Sequence, residues 1–117
     1  MLFVQYPKCS TCQKAKKWLT SKGISFEDRH IAEQNPTFAE LSTWHKASGL
    51  PLKKFFNTSG QFYRELGLKD KLATMTEEEQ LSLLATNGML VKRPIVVTGE
   101  TVLVGFKEAD WEKHLVK

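Results

Sequence analysis

The chain has 117 residues, 41% hydrophobic and 26% charged, a balance that suits one domain with a modest core and excludes a disordered chain. Seventeen Lys and Arg against thirteen Asp and Glu give a net charge of +4; no basic run interleaved with aromatics accompanies it, so an anionic substrate or acidic protein partner is expected and direct nucleic-acid binding is not. No apolar stretch approaches the roughly 20 residues that span a bilayer, and the start lacks the basic head and long apolar middle of a leader, so a cytoplasmic protein without membrane contact is expected.

Leu2 to Tyr6 reads as a short apolar strand. Cys9-Ser10-Thr11-Cys12 follows and holds the only two cysteines. Residues 10–22 carry Cys12, Ala15, Trp18 and Leu19 at helical spacing, with Gly23 where a terminating glycine belongs. Ile24 to Ile31 alternates loosely as a second strand, and a strand–helix–strand unit of this length is parallel and right-handed. Thr37 with Glu40 forms a capping box that opens a helix with Phe38, Leu41 and Trp44 on one face, closed by Gly49. Pro51 starts a short helix with Leu52, Phe55 and Phe56. Asn57-Thr58-Ser59-Gly60 is a loop; Phe62, Tyr63 and Leu66 make another helical turn, stopped by Gly67. Thr76 with Glu79 is a second capping box before Leu81, Leu83 and Leu84, and Asn87-Gly88 ends that helix. Ile95–Thr98 and Thr101–Val104 are β-branched runs around Gly99-Glu100, a tight antiparallel hairpin signature. Gly105-Phe106 leads to a last helix with Ala109, Trp111, His114 and Leu115. The order is β–α–β, helices, β–β, α, with the cysteine pair at the first strand–helix junction. This is an α/β, thioredoxin-like plan (βαβ…ββα) with an inserted helical subdomain. No repeat or linker divides it, so residues 1–117 read as one domain with the insertion at about 36–88.

The cysteine pair carries the candidate chemistry. A thiol at a helix start meets the positive end of the dipole and unpaired backbone N–H groups, and both favour the nucleophilic thiolate. Cys9 is therefore the candidate nucleophile. Cys12, one turn further and more shielded, suits a resolving thiol that attacks Cys9 once Cys9 is bonded to a substrate. Two other readings stand beside this: both cysteines as small core residues, or half of a zinc site. Zinc needs further ligands, and His30, His45 and His114 show no paired spacing. Arg93, just before the hairpin, is a candidate third catalytic residue, offering a fixed charge and a forked donor to a thiolate or oxyanion, or else is a solvated surface residue. Pro94 reads as trans from sequence, since only about 5–6% of X–Pro bonds are cis. Lys8, Ser10 and Thr11 beside the thiols, with Asn57 and Pro94, are the candidate substrate-binding residues. For Asn57 the rival reading is a loop that caps its flanking helices. Trp18, Trp44, Phe55, Phe56 and Trp111 fit a core.

Three stretches together resemble the arsenate reductase/Spx (ArsC-like) family over essentially the whole chain. They are Tyr6-Pro7-Lys8-Cys9-Ser10-Thr11-Cys12-Gln13-Lys14-Ala15; Lys54-Phe55-Phe56-Asn57-Thr58-Ser59-Gly60 with Tyr63-Arg64-Glu65-Leu66; and Lys92-Arg93-Pro94-Ile95-Val96-Val97 with Val104-Gly105-Phe106. The resemblance implies a thioredoxin-like fold with an inserted helical domain, Cys9 as the active thiol, a cis Pro94 facing it and Arg93 as the basic residue beside the thiolate. Arsenate reductases of this family use one catalytic cysteine, a glutathione/glutaredoxin partner and three arginines around the oxyanion. Arg93 matches one of the three; Asn57 and Phe106 fall where the others are expected. The second cysteine, Cys12, resembles the Spx branch, which includes a redox-sensitive transcription regulator that contacts RNA polymerase.

The expected function is a thiol–disulfide oxidoreductase that needs no metal or organic cofactor. A small thiol or thiol-reducing protein, such as the glutathione/glutaredoxin or thioredoxin system, restores it. The alternatives are a redox-sensing regulator that binds RNA polymerase and an arsenate reductase.

Overall fold

The computed structural model describes residues 1–116. In β1 (Leu2–Gln5), Phe3 and Val4 point to opposite faces and both are fully buried. A strand buried on both faces needs cover on both. β2 (Glu27–His30) pairs with β1 in parallel, Leu2 opposite Glu27 and Gln5 opposite His30. β3 (Ile95–Thr98) runs antiparallel on the other side of β1, and β4 (Thr101–Val104) pairs antiparallel with β3. The sheet order is β2-β1-β3-β4. On one face, Phe3 and Val96 pack with Ala15, Trp18 and Leu19 of α1 (Ser10–Ser21) and Trp111 of α6 (Glu108–Leu115). On the other, Val4, Ile95 and Val102 pack with Leu41 and Trp44 of α2 (Phe38–Ser48) and Leu81 and Leu84 of α5 (Glu77–Leu84). Between α2 and α5 lie α3 (Gln61–Glu65) and α4 (Leu68–Lys71), with 3-10 turns at Leu52–Phe55 and Leu72–Thr74. This is a thioredoxin-like fold with helices inserted between β2 and β3. Among the described residues no helix is long and apolar enough to cross a membrane.

Local chemistry explains where the chain follows its sequence pattern and where it departs. Both capping boxes form: Thr37 Oγ1 accepts from the Glu40 N–H (3.1 Å) and Thr76 Oγ1 from the Glu79 N–H (3.1 Å), while each glutamate accepts back from the threonine N–H. The hairpin turns at Gly99, whose φ of +57° is open to glycine and costly for other residues.

The second strand starts at Glu27, not Ile24, because the end of α1 claims the preceding amides. Gly23 N–H donates to the Thr20 carbonyl and Ile24 N–H to the Leu19 carbonyl, both at 3.1 Å, a paired closure of the helix end. β1 stops at Gln5 because the Tyr6 carbonyl accepts the Cys9 N–H (3.0 Å) in a turn.

Three side chains assigned to apolar faces sit outside: Phe38 is 40% exposed, Phe62 41% and Leu66 40%. The short α3 has room to bury only Tyr63. Phe56 leaves the helical turn and forms an isolated antiparallel bridge with Val91. Gly88 does more than end α5. It opens the 3-10 turn Gly88–Leu90, where a Cβ would collide with the Ile31 carbonyl oxygen. In α6 Trp111 is buried, donating its indole N–H to the Gly105 carbonyl (3.0 Å), whereas Ala109 and His114 are exposed.

Candidate active site

The site forms where β1 hands over to α1. The Tyr6–Cys9 turn is held by the Gln13 amide, which donates to the Pro7 carbonyl (2.8 Å). Cys9 is the N-cap of α1: its backbone is extended (φ −90°, ψ 119°) and its sulfur accepts the Cys12 N–H at 3.4 Å. A sulfur here faces the unpaired amides and the positive end of the helix. Cys9 is half-buried, Cys12 is fully buried, and both are free thiols.

The two sulfurs titrate in opposite directions. Partial burial pushes the Cys9 thiol up, but hydrogen bonds from the Cys12 thiol and N–H and the charge of Arg93 outweigh it, leaving Cys9 below the ordinary cysteine range. Burial pushes Cys12 up to about 12; a hydrogen bond from the Tyr6 backbone opposes this, and the neighbouring Cys9 adds to it. At neutral pH the pair is one polarised, accessible sulfur beside one protonated, shielded sulfur.

Arg93 is brought to Cys9 by the approach to β3. The Arg93–Pro94 bond is cis, as the family resemblance implies and unlike the trans bond expected from proline frequencies alone, and Pro94 is buried. The guanidinium donates through Nη1 to the Met89 carbonyl (3.1 Å) and lies over the Tyr6 ring, 5.4 Å from its centroid. Tyr6 is braced in turn by an edge-on contact with His30, 5.5 Å between centroids. The Phe56–Val91 bridge fixes the segment upstream: Lys92 N–H donates to the Phe55 carbonyl (2.8 Å) and Asn57 N–H to the Leu90 carbonyl (2.7 Å).

The other candidate residues are placed unevenly. Lys8, Ser10 and Thr11 are exposed around the cysteines. Thr11, in the first turn of α1, and Thr58 line a neighbouring cleft of about 540 Å³ whose lining includes neither cysteine nor Arg93. Asn57 is half-buried and does not line it; its amide lies 3.5 Å from the Met89 carbonyl and close against Gly60. Sequence reading assigned Tyr6 to a strand and missed its stacking under Arg93. It also passed over Lys53, Lys54, Lys92 and Lys107 around the cleft; the adjacent Lys53-Lys54 pair was the available signal. Among the described residues no three His, Cys, Asp or Glu side chains are placed to hold a metal ion.

The profile of the ArsC family matches residues 4–114. The chain is 65% identical to an ArsC family related protein from Bacteroides fragilis of known crystal structure, covering 96% of this chain and 94% of that one with a TM-score of 0.94. It is 57% identical over 114 residues to the uncharacterized protein YusI of Bacillus subtilis (strain 168), 97% of each chain. It is 30% identical to the regulatory protein MgsR of the same strain, over 94% of this chain and 86% of that protein.

Proposed function

The chain belongs to the ArsC family, and from that premise we propose that it is a thiol–disulfide oxidoreductase, one thioredoxin-like unit over residues 1–117 with its helical insertion at about 36–88. The observation that carries this reading is the setting of the Cys9 sulfur: an N-cap position, hydrogen bonds from Cys12 and the Arg93 charge together favour its thiolate. Cys9 thiolate attacks one sulfur of a disulfide R–S–S–R′. The Cys9–S–S–R bond forms, the S–S bond of the substrate breaks, and R′S⁻ leaves to take a proton. Cys12 then gives up its proton and attacks Cys9 Sγ, expelling RS⁻, which is protonated in turn. Two electrons have passed to the substrate and a Cys9–Cys12 disulfide remains. A thiol system of the glutathione/glutaredoxin or thioredoxin class returns the two electrons. Lys8, Ser10, Thr11, Asn57 and Pro94 are the proposed substrate-contacting residues around this chemistry.

Separate variants test the two roles. Cys9→Ser abolishes reduction of a model disulfide. Cys12→Ser stalls at the mixed disulfide, seen as an intact-mass gain equal to one substrate half. Full activity in Cys9→Ser ends the reading.

A second reading is a redox-sensing regulator that binds RNA polymerase: the 30% identity to the regulatory protein MgsR supports a regulatory role, and the polymerase is the partner that the resemblance to the Spx branch implies. Retention of polymerase on the immobilised protein in only one of its dithiol and disulfide states supports it; no retention in either state removes it. Arsenate reduction has less support here, because Asn57 and Phe106 supply no charge beside Arg93. An arsenate assay coupled to glutathione and glutaredoxin that runs at the enzyme-free rate removes it.

A further inference from the structure

The cleft beside the cysteine turn carries charge of one sign. Lys53, Lys54, Lys92 and Lys107 line it, and no Asp or Glu does. The ion pairs formed among the described residues use Lys16, Lys22, Arg29 and His45, none of them in the cleft. Four ammonium groups around one opening repel each other, and an anion seated among them relieves that repulsion. Between the lysines the floor is apolar, formed by Phe56, Val104 and Phe106. Phe56 is fixed by its bridge to Val91, and Phe106 by an edge-on contact with Trp111, 4.8 Å between centroids. The cleft begins at Thr11, between the two cysteines, and Lys92 adjoins Arg93. Neither cysteine lines the cleft itself; it borders the cysteine pair through Thr11, so an occupant sits next to the segment that carries Cys9.

We propose that this cleft holds an acidic polypeptide segment flanking the oxidised cysteine that Cys9 attacks, so that the substrate is a protein disulfide set among Asp and Glu side chains. The proposal rests on the oxidoreductase reading and names its substrate class. Two features place a polypeptide above a compact dianion. Lysines are point charges on flexible stems, without the planar fork that fixes one carboxylate or oxyanion in a single pose. They also enter from three separate segments around an apolar floor, an arrangement suited to an extended chain whose acidic residues alternate with an apolar one.

The test compares two peptides of equal length, each with its cysteine held as a mixed disulfide with 2-mercaptoethanol. In one the flanks are Asp and Glu around a single Leu; in the other Ser and Gln replace the acids. The proteins are the full chain and its Lys53→Ser/Lys54→Ser/Lys107→Ser variant, three exposed positions whose loss leaves the core intact. The unsubstituted protein is expected to show a KM about tenfold lower for the acidic peptide. That advantage disappears in the triple variant and in roughly 0.5 M salt, where screening acts within a few ångströms. The rate on bis(2-hydroxyethyl) disulfide, a small neutral substrate, is the same in both proteins. Equal KM for the two peptides overturns the proposal and leaves the oxidoreductase reading standing. Oxidised glutathione that competes at concentrations below the acidic peptide's KM overturns the choice of a polypeptide. Failure to reduce either peptide or the small disulfide overturns the oxidoreductase reading, and the proposal with it.

Discussion

At the scale of single residues, the contrast between Cys9 and Cys12 comes from a few atoms. Both belong to the same turn, yet one sulfur gains a backbone donor, a thiol donor and a guanidinium, while the other gains mainly burial. Because the Cys9 shift is downward, its thiolate persists at a pH where an ordinary thiol is already protonated. The alkylation rate of Cys9 should therefore hold up below about pH 8.5 and fall only as pH drops through the lowered value. Arg93→Gln removes the charge and Cys12→Ala removes the thiol donor. Each moves the midpoint of the iodoacetamide rate profile upward, and Arg93→Gln slows modification at pH 7. Tyr6→Leu moves the midpoint the same way by freeing the guanidinium, and Tyr6→Phe, which keeps the ring, leaves it in place. An unchanged profile in Arg93→Gln would separate Arg93 from the thiolate. Cys9 and Cys12 were legible in the sequence because they are a short-range motif at a strand–helix junction. The Tyr6–Arg93 stack was not, since 87 positions separate its members in the chain.

At the scale of elements, the caps and turns were readable because each is decided by residues three or four apart. Glu40 shows how a cap is reused. Its carboxylate closes the capping box on the Thr37 N–H (3.0 Å) and also receives both terminal nitrogens of Arg29 from β2, at 2.6 and 2.9 Å. The Arg29 hydrogen bond is the main reason that Glu40 is held below the usual carboxylate range; partial burial opposes it and the Thr37 N–H adds to it. A depressed carboxylate stabilises the fold above its unfolded value of about 4.3 and ceases to do so as pH falls through the lower folded value. Urea unfolding midpoints of the native sequence should thus fall between about pH 5 and pH 3 by more than those of Glu40→Gln. Gln keeps the capping box, so the variant should be less stable at pH 7 by up to about 1 kcal/mol through the lost Arg29 ion pair alone. Parallel curves for the two proteins would show that the Arg29 pair contributes nothing. Element ends were misread where backbone amides were already engaged, as at Ile24. Phe38, Phe62 and Leu66 were misread because helical spacing gives a face but not which face is covered.

At the scale of the whole molecule, the inserted helices are coupled to the sheet at a few close approaches, and these position the active site. The Phe56–Val91 bridge joins the insertion to the segment carrying Arg93. The Asn35 amide spans from the end of β2 to the Ala85 carbonyl after α5 (3.0 Å). Gly88 lies so near the Ile31 carbonyl that no side chain fits. Gly88→Ala must push apart the β2 end and the turn that supplies the Met89 carbonyl to Arg93. It should cost about 1–3 kcal/mol in urea unfolding and raise the pH midpoint of Cys9 alkylation, although residue 88 touches neither sulfur. Lost stability with an unmoved midpoint would show that the insertion does not govern Arg93. By itself the sequence determined the element order, both capping boxes, the Gly99 turn and the pairing of two thiols at a helix start, because propensity, periodicity and short motifs act over a few residues. The cis Arg93–Pro94 bond and Arg93 beside Cys9 were implied by the family resemblance and not by local pattern, and only the tertiary structure decided the stacking of Arg93 over Tyr6, the lysine-lined cleft and the exposed faces of Phe38, Phe62 and Leu66. Those depend on which distant segments pack together, and packing free energy is shared across the fold rather than written at any one position.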